Sequence, residues 1–335
     1  MNEPRPRWIV WPEELRRRGI LGINQRNVDY IGAYNPRLLY PRVDNKLVTK
    51  QICQANGIPV PDTYFVLDKQ SDVTRFMQTL GDRTDFVCKP ASGAGGRGII
   101  VISSREGNSF FTPGGREITS GDLRYHLSTT LSGLYSLGGQ TDEVIVEQRI
   151  VNHPALSDIV VGGTPDVRVI AYRGVPVMAM TRLPTEMSGG KANLHQGAVA
   201  AAVDLMHGRT FGGVCQDRTV QKHPDTGVPI KGIEIPEWRR LLTAAMRLAD
   251  ALEMGYVGID FVIDVAAGPV VLEANARPGL AIQLAHREGL VPRLKFVEQR
   301  VAENLPHEER WKIVEKLCDR FGQIVLHPPG AAAES

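Results

Sequence analysis

Residues 258–279, GIDFVIDVAAGPVVLEANARPG, restrict the fold more than any other stretch of the chain. They read as two short strands around a tight turn. In GIDFVID, Ile259, Phe261 and Ile263 alternate with Asp260, Val262 and Asp264, the period of a strand. Ala266-Ala267-Gly268-Pro269 marks the turn. In the returning run, Val270 to Asn275, the residues Val271, Glu273 and Asn275 share one face, because side chains i, i+2 and i+4 align in a strand. Pairing the two strands lets Asp260, Glu273 and Asn275 converge. Two carboxylates and an amide oxygen make a hard, all-oxygen set that suits Mg²⁺ together with waters and nucleotide phosphates. The plainer alternative is a hairpin with one wet face, common in antiparallel pairs. The hairpin alone does not separate the two.

Length and charge narrow the class. At 335 residues the chain has room for one large or two ordinary domains. A hydrophobic content of 42% with 23% charged residues fits a soluble globular protein. A net charge of +2 gives no footprint for nucleic acid. Cys53, Cys88, Cys215 and Cys318 lie far apart with no CxxC pair, so they read as reduced core thiols of a cytoplasmic protein rather than zinc ligands or disulfides. No apolar run is long enough to span a membrane, and the basic N-terminus lacks the apolar core of a signal peptide.

Residues 1–43 are rich in Arg, Pro and Tyr, with a short helix expected at Pro12–Arg18 whose arginines read as a solvated helix end. Asp44 is the expected N-cap of a helix in which Val48, Ile52 and Ala55 share a face and Gly57 is the stop. Lys46 and Lys50 lie one turn apart on its polar side. A strand and a helix over Ser71–Leu80 follow.

FVCKPASGAGGRGIIVIS comes next: a strand at Phe86–Lys89, a glycine-rich loop over Ser92–Gly98, and a β-branched strand at Ile99–Ile102. Gly93, Gly95 and Gly98 fit G-x-G-x-x-G, but a dinucleotide fingerprint needs a helix after the glycines, and here a strand follows. No Gly-Lys-Ser/Thr closes the loop, so it is not a P-loop either. Strand–glycine loop–strand is a hairpin flap whose backbone N–H groups can approach phosphate oxygens, with Lys89 as a point charge beside it. An ordinary mobile hairpin with a surface lysine would read the same.

Residues 103–141 read as a polar loop and a helix over Asp122–Leu134, and DEVIVEQRI as a strand ending in Glu147-Gln148-Arg149-Ile150. Asp166 to Tyr172 and Val175 to Arg182 form a clear hairpin about Arg173-Gly174. Arg168 and Arg182 are cations inside these strands, and charges seldom sit on buried faces without a partner, so at least one should face a cleft. GGKANLHQGA then carries Lys191, Asn193 and His195; a lone loop histidine is by default a surface residue. From there to Gly232 the chain reads as loop and short strand. Pro236–Met254 is a strongly amphipathic helix, and Ile282–Asn304 and His307–Phe321 read as two more before a frayed tail, GAAAES.

In order, these features resemble the ATP-grasp superfamily of carboxylate–amine ligases over roughly residues 44–290. Within it, the NLH tripeptide at 193–195 and the run Glu273-x-Asn275-x-x-Pro278-Gly279-Leu280 are similar to the α-L-glutamate ligase-like branch, related to the ribosomal-protein glutamate ligases. The resemblance implies an α+β fold in which two subdomains with antiparallel sheets clasp ATP. The expected divisions are a short N-terminal extension (1–43), a subdomain with the flap (44–148), a subdomain with the Mg²⁺ site (149–300), and a C-terminal helix and tail (301–335). It implies that Lys46 and Lys89 hold the α- and β-phosphates under a flap of Ser92, Gly93, Gly95, Gly96 and Gly98. Glu147, Gln148, Arg149 and Ile150 would grip adenine, Asp166 the ribose, and Lys191 and Asn193 the nucleotide. Asp260, Glu273 and Asn275 would ligate Mg²⁺ or Mn²⁺.

The implied activity is ADP-forming amide synthesis through an acyl phosphate, joining an amino acid such as glutamate to an amine acceptor such as a peptide or protein terminus. Arg182, Arg277 and His195 are the catalytic candidates, the arginines because a planar guanidinium suits a carboxylate or an oxyanion. Gln196 and Arg277 stand where those ligases carry an arginine and a small residue, both beside the expected acyl site. Two other functions fit the same residues: ligation of a sugar-linked or other acid, and nucleotide-dependent regulation without turnover. A homo-oligomer is compatible with all three.

Overall fold

The computed structural model describes residues 11–93, 95–136, 139–302 and 305–322. The expected tail GAAAES, the first ten residues and Ala94 of the flap lie outside them. Two hydrophobic cores organise the rest. The smaller lies within residues 63–147, which contain β1 (Thr63–Leu67), β2 (Phe86–Pro90), β3 (Ile100–Ile102), β4 (Ser104–Glu106), β5 (Ser109–Phe111), β6 (Glu117–Thr119) and β7 (Val144–Glu147). A four-stranded sheet has the order β1-β7-β2-β3. The apolar stripes of the helices Gln70–Thr79 and Ser120–Leu131 bury Val73 and Phe76, and Leu123 and Leu127, in its core. Phe86 meets Phe76 and Phe110 edge-on with ring centres 5.8 and 5.9 Å apart, the arrangement aromatic quadrupoles favour. The expected polar loop after Ile102 is instead the three-stranded meander β4-β5-β6. Its short strands bury Phe110 and Ile118, one residue each, a pattern too brief to stand out in the sequence.

The larger core is built on a seven-stranded antiparallel sheet. Its strands are β8 (Asp166–Tyr172), β9 (Val175–Leu183), β10 (Val199–Val203), β11 (Thr210–Cys215), β12 (Arg218–Val220), β13 (Tyr256–Asp264) and β14 (Gly268–Asn275). Their order is β12-β11-β10-β9-β8-β13-β14. The helix Trp238–Leu252 lays its apolar stripe on β8, β9 and β13. The Ala-rich β10 is fully buried, yet alanine lacks the branching that marks strands, which is why only short strand was expected there. Residues 20–43 join this core: the Tyr30 ring packs against Tyr172 and Tyr256, and Asn35 exchanges hydrogen bonds of 2.7 and 2.9 Å with the Tyr256 backbone.

Two local expectations are corrected. The helix Lys46–Ala55 is capped by Asn45, not Asp44: Asn45 Oδ1 accepts from the N–H groups of Leu47 (2.8 Å) and Val48 (3.3 Å). The single helix expected over Ile282–Asn304 is two, Ile282–His286 and Val291–Glu298. Between them Arg287 is left-handed (φ 53°), and Gly289 lies so close to the Gly19 backbone that no Cβ fits. The buried Gln283 amide oxygen fixes the break by accepting from Leu21 N (2.8 Å) and Leu290 N (2.9 Å). All four cysteines are unpaired, and burial pushes the Cys53 thiol up to about 12. No helix among the described residues is long and apolar enough to cross a membrane.

Candidate functional site

The β13–β14 hairpin sets the geometry. Asp260 pairs with Glu273, and Gly258 with Asn275. Residues directly opposite share a face, so the three oxygen-bearing side chains gather as their alternation predicts. A bulge between Asp260 and Phe261 ends this register on the turn side. Asn275 Nδ2 lies 3.4 Å from Glu273 Oε1.

On its other side Asp260 faces Arg168 of β8, while Asp166, two residues earlier, faces Arg182 of β9. One face of the sheet therefore carries a continuous band of acids and bases. Arg168 forks onto Asp260, with Nε to Oδ1 at 2.7 Å and Nη2 to Oδ2 at 2.5 Å. Arg182 forks onto Asp166 at 2.6 and 2.5 Å and gives Asp260 a further bond of 2.8 Å. Burial alone would raise the Asp260 carboxyl, but Arg168 and Arg182 outweigh it and hold it well below the usual carboxylate range. Asp166 moves up instead: burial raises it, Arg182 offsets only part of this, and the Asp260 charge adds to the rise. Burial opposes the charge on Arg182, yet Asp166 and Asp260 push its pKa up.

A second cluster lies on the two central strands of the smaller sheet, β7 and β2. Glu147, at the end of β7, accepts from Lys50 and Lys89, each at 2.5 Å. Burial lowers the Lys50 pKa against the pull of Glu147. Lys46 links the flap to the first cluster: its Nζ donates to the Gly93 carbonyl at 2.5 Å and stands 3.6 Å from Glu273 Oε2. The glycine loop is a strand-to-strand flap, since β2 and β3 pair antiparallel and no helix follows Gly98. Gly95, Gly96 and Gly98 all have positive φ. At Gly98 a Cβ would also stand 2.6 Å from the Tyr135 ring, so glycine is required there on both counts.

The remaining candidates fall in different places. Ser92 anchors the base of the flap, its N–H held by both Asp142 oxygens at 3.1 Å. Lys191 is exposed on the loop opposite the flap, its Cδ 3.8 Å from where a Cβ on Gly96 would be. Asn193 caps a short turn by accepting from His195 N at 3.0 Å, and the His195 side chain is exposed. Gln148 is tied to Asp62 through both its N–H and its side-chain oxygen, and Arg149 turns to Asp85 at 3.1 Å. Ile150 is half-buried beyond them. Arg277 is exposed, its guanidinium 5.0 Å from the centre of the Tyr40 ring, outside the contacts of the acid–base band. Lys50 and Arg168 were not singled out as site residues from the sequence. Their signals were one helical turn from Lys46, and a cation two residues from Asp166 in an otherwise apolar strand.

The family model described as sugar-transfer associated ATP-grasp matches residues 25–299. The chain belongs to this family. The ATP-grasp superfamily and its fold, expected from the residues, are thereby established for this chain. No curated protein matches it. Among solved structures, biotin carboxylase from Campylobacter jejuni is 18% identical, with a TM-score of 0.50 over 81% of this chain and 49% of that one. The ATP-grasp ligase PsnB with its minimal precursor is 16% identical, with a TM-score of 0.42 over 78% of this chain. D-alanine–D-alanine ligase from Bacillus anthracis is 15% identical, with a TM-score of 0.42 over 84% of this chain and 68% of that one. The chain spans 60% of the length of PsnB. At these identities the likeness is one of fold.

Proposed function

We propose that this ATP-grasp protein is an ADP-forming ligase that joins a carboxylic acid to an amine through an acyl phosphate. One observation carries the reading: three oxygen-bearing side chains, Asp260, Glu273 and Asn275, share a sheet face with Lys46 above them and a glycine flap next to Lys46. The donor set fits Mg²⁺ in its chemistry, being all oxygen. Glu273 and Asn275 are partly exposed, whereas both Asp260 oxygens are engaged by guanidinium groups. Among the described residues no group of three His, Cys, Asp and Glu side chains could hold a metal ion by itself. Glu273 and Asn275 would hold the cation, with Asp260, kept ionised by the arginines, adding its charge beside them. The cation would supply charge neutralisation at the phosphates as the phosphoryl group moves.

The chain's own residues do the rest. Lys46 and Lys89 place positive charge where the phosphates lie, and the flap offers backbone N–H groups to their oxygens. A substrate carboxylate oxygen attacks the γ-phosphorus, and ADP leaves with the bridging oxygen's electrons. An amine nitrogen then attacks the acyl carbon, phosphate departs, and the nitrogen loses a proton. Arg182 and Arg168 stand next to Asp260, and each has a guanidinium nitrogen beyond those already bonded to carboxylates, available for the acid or the developing oxyanion. Arg277 is a candidate for the acceptor carboxylate, and His195, on the turn after Lys191, for the amine proton. A closed flap would keep water from the acyl phosphate.

Two substrates are in view. The NLH tripeptide and the Glu-x-Asn-x-x-Pro-Gly run favour an amino acid such as glutamate added to a peptide or protein amine. The family's association with sugar transfer favours an acid linked to a sugar. Phosphate release measured over a panel of acid–amine pairs separates them. Turnover is expected with one class only. ATP binding without phosphate release from any pair would contradict the ligase assignment and favour a regulatory nucleotide-binding protein.

A further inference from the structure

Glu147 sits between two lysines, and the proposed chemistry uses only one of them. Lys89 bonds Oε1 and Lys50 bonds Oε2, each at 2.5 Å. Lys50, Lys89 and Glu147 are 2%, 5% and 3% exposed, so solvent cannot substitute for a lost partner. The lysines reach Glu147 from different directions. Lys89 comes from β2, the strand beside β7, whereas Lys50 comes from the helix Lys46–Ala55, whose Cys53 belongs to the larger core. The triad carries one negative and two positive charges, a buried surplus of one cation.

That surplus has a consequence for phosphate binding. If Lys89 were the only partner of Glu147, its transfer to a phosphate would strand a buried carboxylate, which is strongly unfavourable. Lys89 would then stay on Glu147. With Lys50 on the other oxygen, Lys50 and Glu147 form a neutral pair by themselves, and Lys89 is free to follow an incoming anion.

We propose that Lys50 is a positioning residue: the counter-ion that satisfies Glu147 and so releases Lys89 to nucleotide phosphate. This rests on the reading that Lys89 meets a phosphate. The competing role for Lys50 is a strut between helix and sheet, with no bearing on what Lys89 does.

Equilibrium binding of ATP and of adenosine, to wild type and to Lys50→Met in the presence and absence of Glu147→Gln, distinguishes the two. Lys50→Met is expected to weaken ATP binding by about 10- to 100-fold, the range of a charge-assisted bond, and to leave adenosine binding nearly unchanged. Lys50→Arg should stay close to wild type. In the Glu147→Gln background Lys50→Met should have no further effect, because no carboxylate then holds Lys89; such non-additivity is the signature of a coupled pair. Equal weakening of ATP and adenosine, the same loss in both backgrounds, or failure of Lys50→Met to fold in either background assigns the strut role and overturns the proposal. A wild type that binds ATP with an unaffected Lys50→Met sinks the Lys50 role alone. A wild type that binds no ATP removes the nucleotide reading and this inference with it.

Discussion

Glu273→Gln is expected to lower amine-dependent ADP release by about 10²- to 10³-fold, the scale of losing one preorganised electrostatic group, and to leave the unfolding transition in place. Glu273 is opposite Asp260 on the polar face, and its side chain is 33% exposed, with Lys46 as a cationic neighbour at 3.6 Å. A partly exposed pair at that distance contributes little to stability. Glutamine keeps the shape and the hydrogen bond with Asn275 but removes the charge that a divalent cation requires. Steady-state ADP release read beside a denaturant titration checks both halves. Near-normal turnover would count against a cation at Glu273; lost turnover with a shifted unfolding midpoint would mean that Glu273 is structural.

Asp260→Asn should behave differently, although Asp260 belongs to the same trio. Its carboxylate is 1% exposed and accepts from Arg168 twice and from Arg182 once. An asparagine there leaves the half-buried Arg168 facing one acceptor oxygen and no charge, while Arg182 loses one bond and keeps its fork onto Asp166. Breaking a buried ionic network from one side costs about 3–5 kcal/mol. Urea unfolding should show that loss, and activity would fall with it, so Asp260→Asn by itself cannot report on cation binding. The control is Arg168→Met combined with Asp260→Asn, which removes one stranded cation and should recover part of the stability. An Asp260→Asn protein as stable as wild type would contradict the network described here.

The contrast between these neighbours shows what the sequence could and could not convey. Alternation places Asp260, Glu273 and Asn275 on one face, because strand period and a short turn leave little freedom. It also gave the Asp166–Arg182 hairpin and the flap, where a β-branched strand after Gly98 excluded a helix. It did not reveal that Asp260 is held by guanidinium groups, since that depends on β8 lying beside β13, almost a hundred residues away in sequence and in contact only through sheet order. The ion pairs of Glu147 were hidden for the same reason: its two lysines arrive from a neighbouring strand and a distant helix. Arg277 lies just past the end of its strand at Asn275, and its packing against Tyr40, more than two hundred residues earlier, was likewise not legible. Local period was legible; partners fixed by sheet order were not.

The central claim is that the face bearing Glu273 and Asn275 holds a nucleotide-bound divalent cation beneath the glycine flap. Mn²⁺ bound in the presence and absence of ADP, counted by electron paramagnetic resonance, tests it most directly. The wild type should hold Mn²⁺ only when ADP is present, and Glu273→Gln should keep ADP but lose the metal. Equal Mn²⁺ binding by the two proteins, or none by wild type with ADP bound, would contradict it.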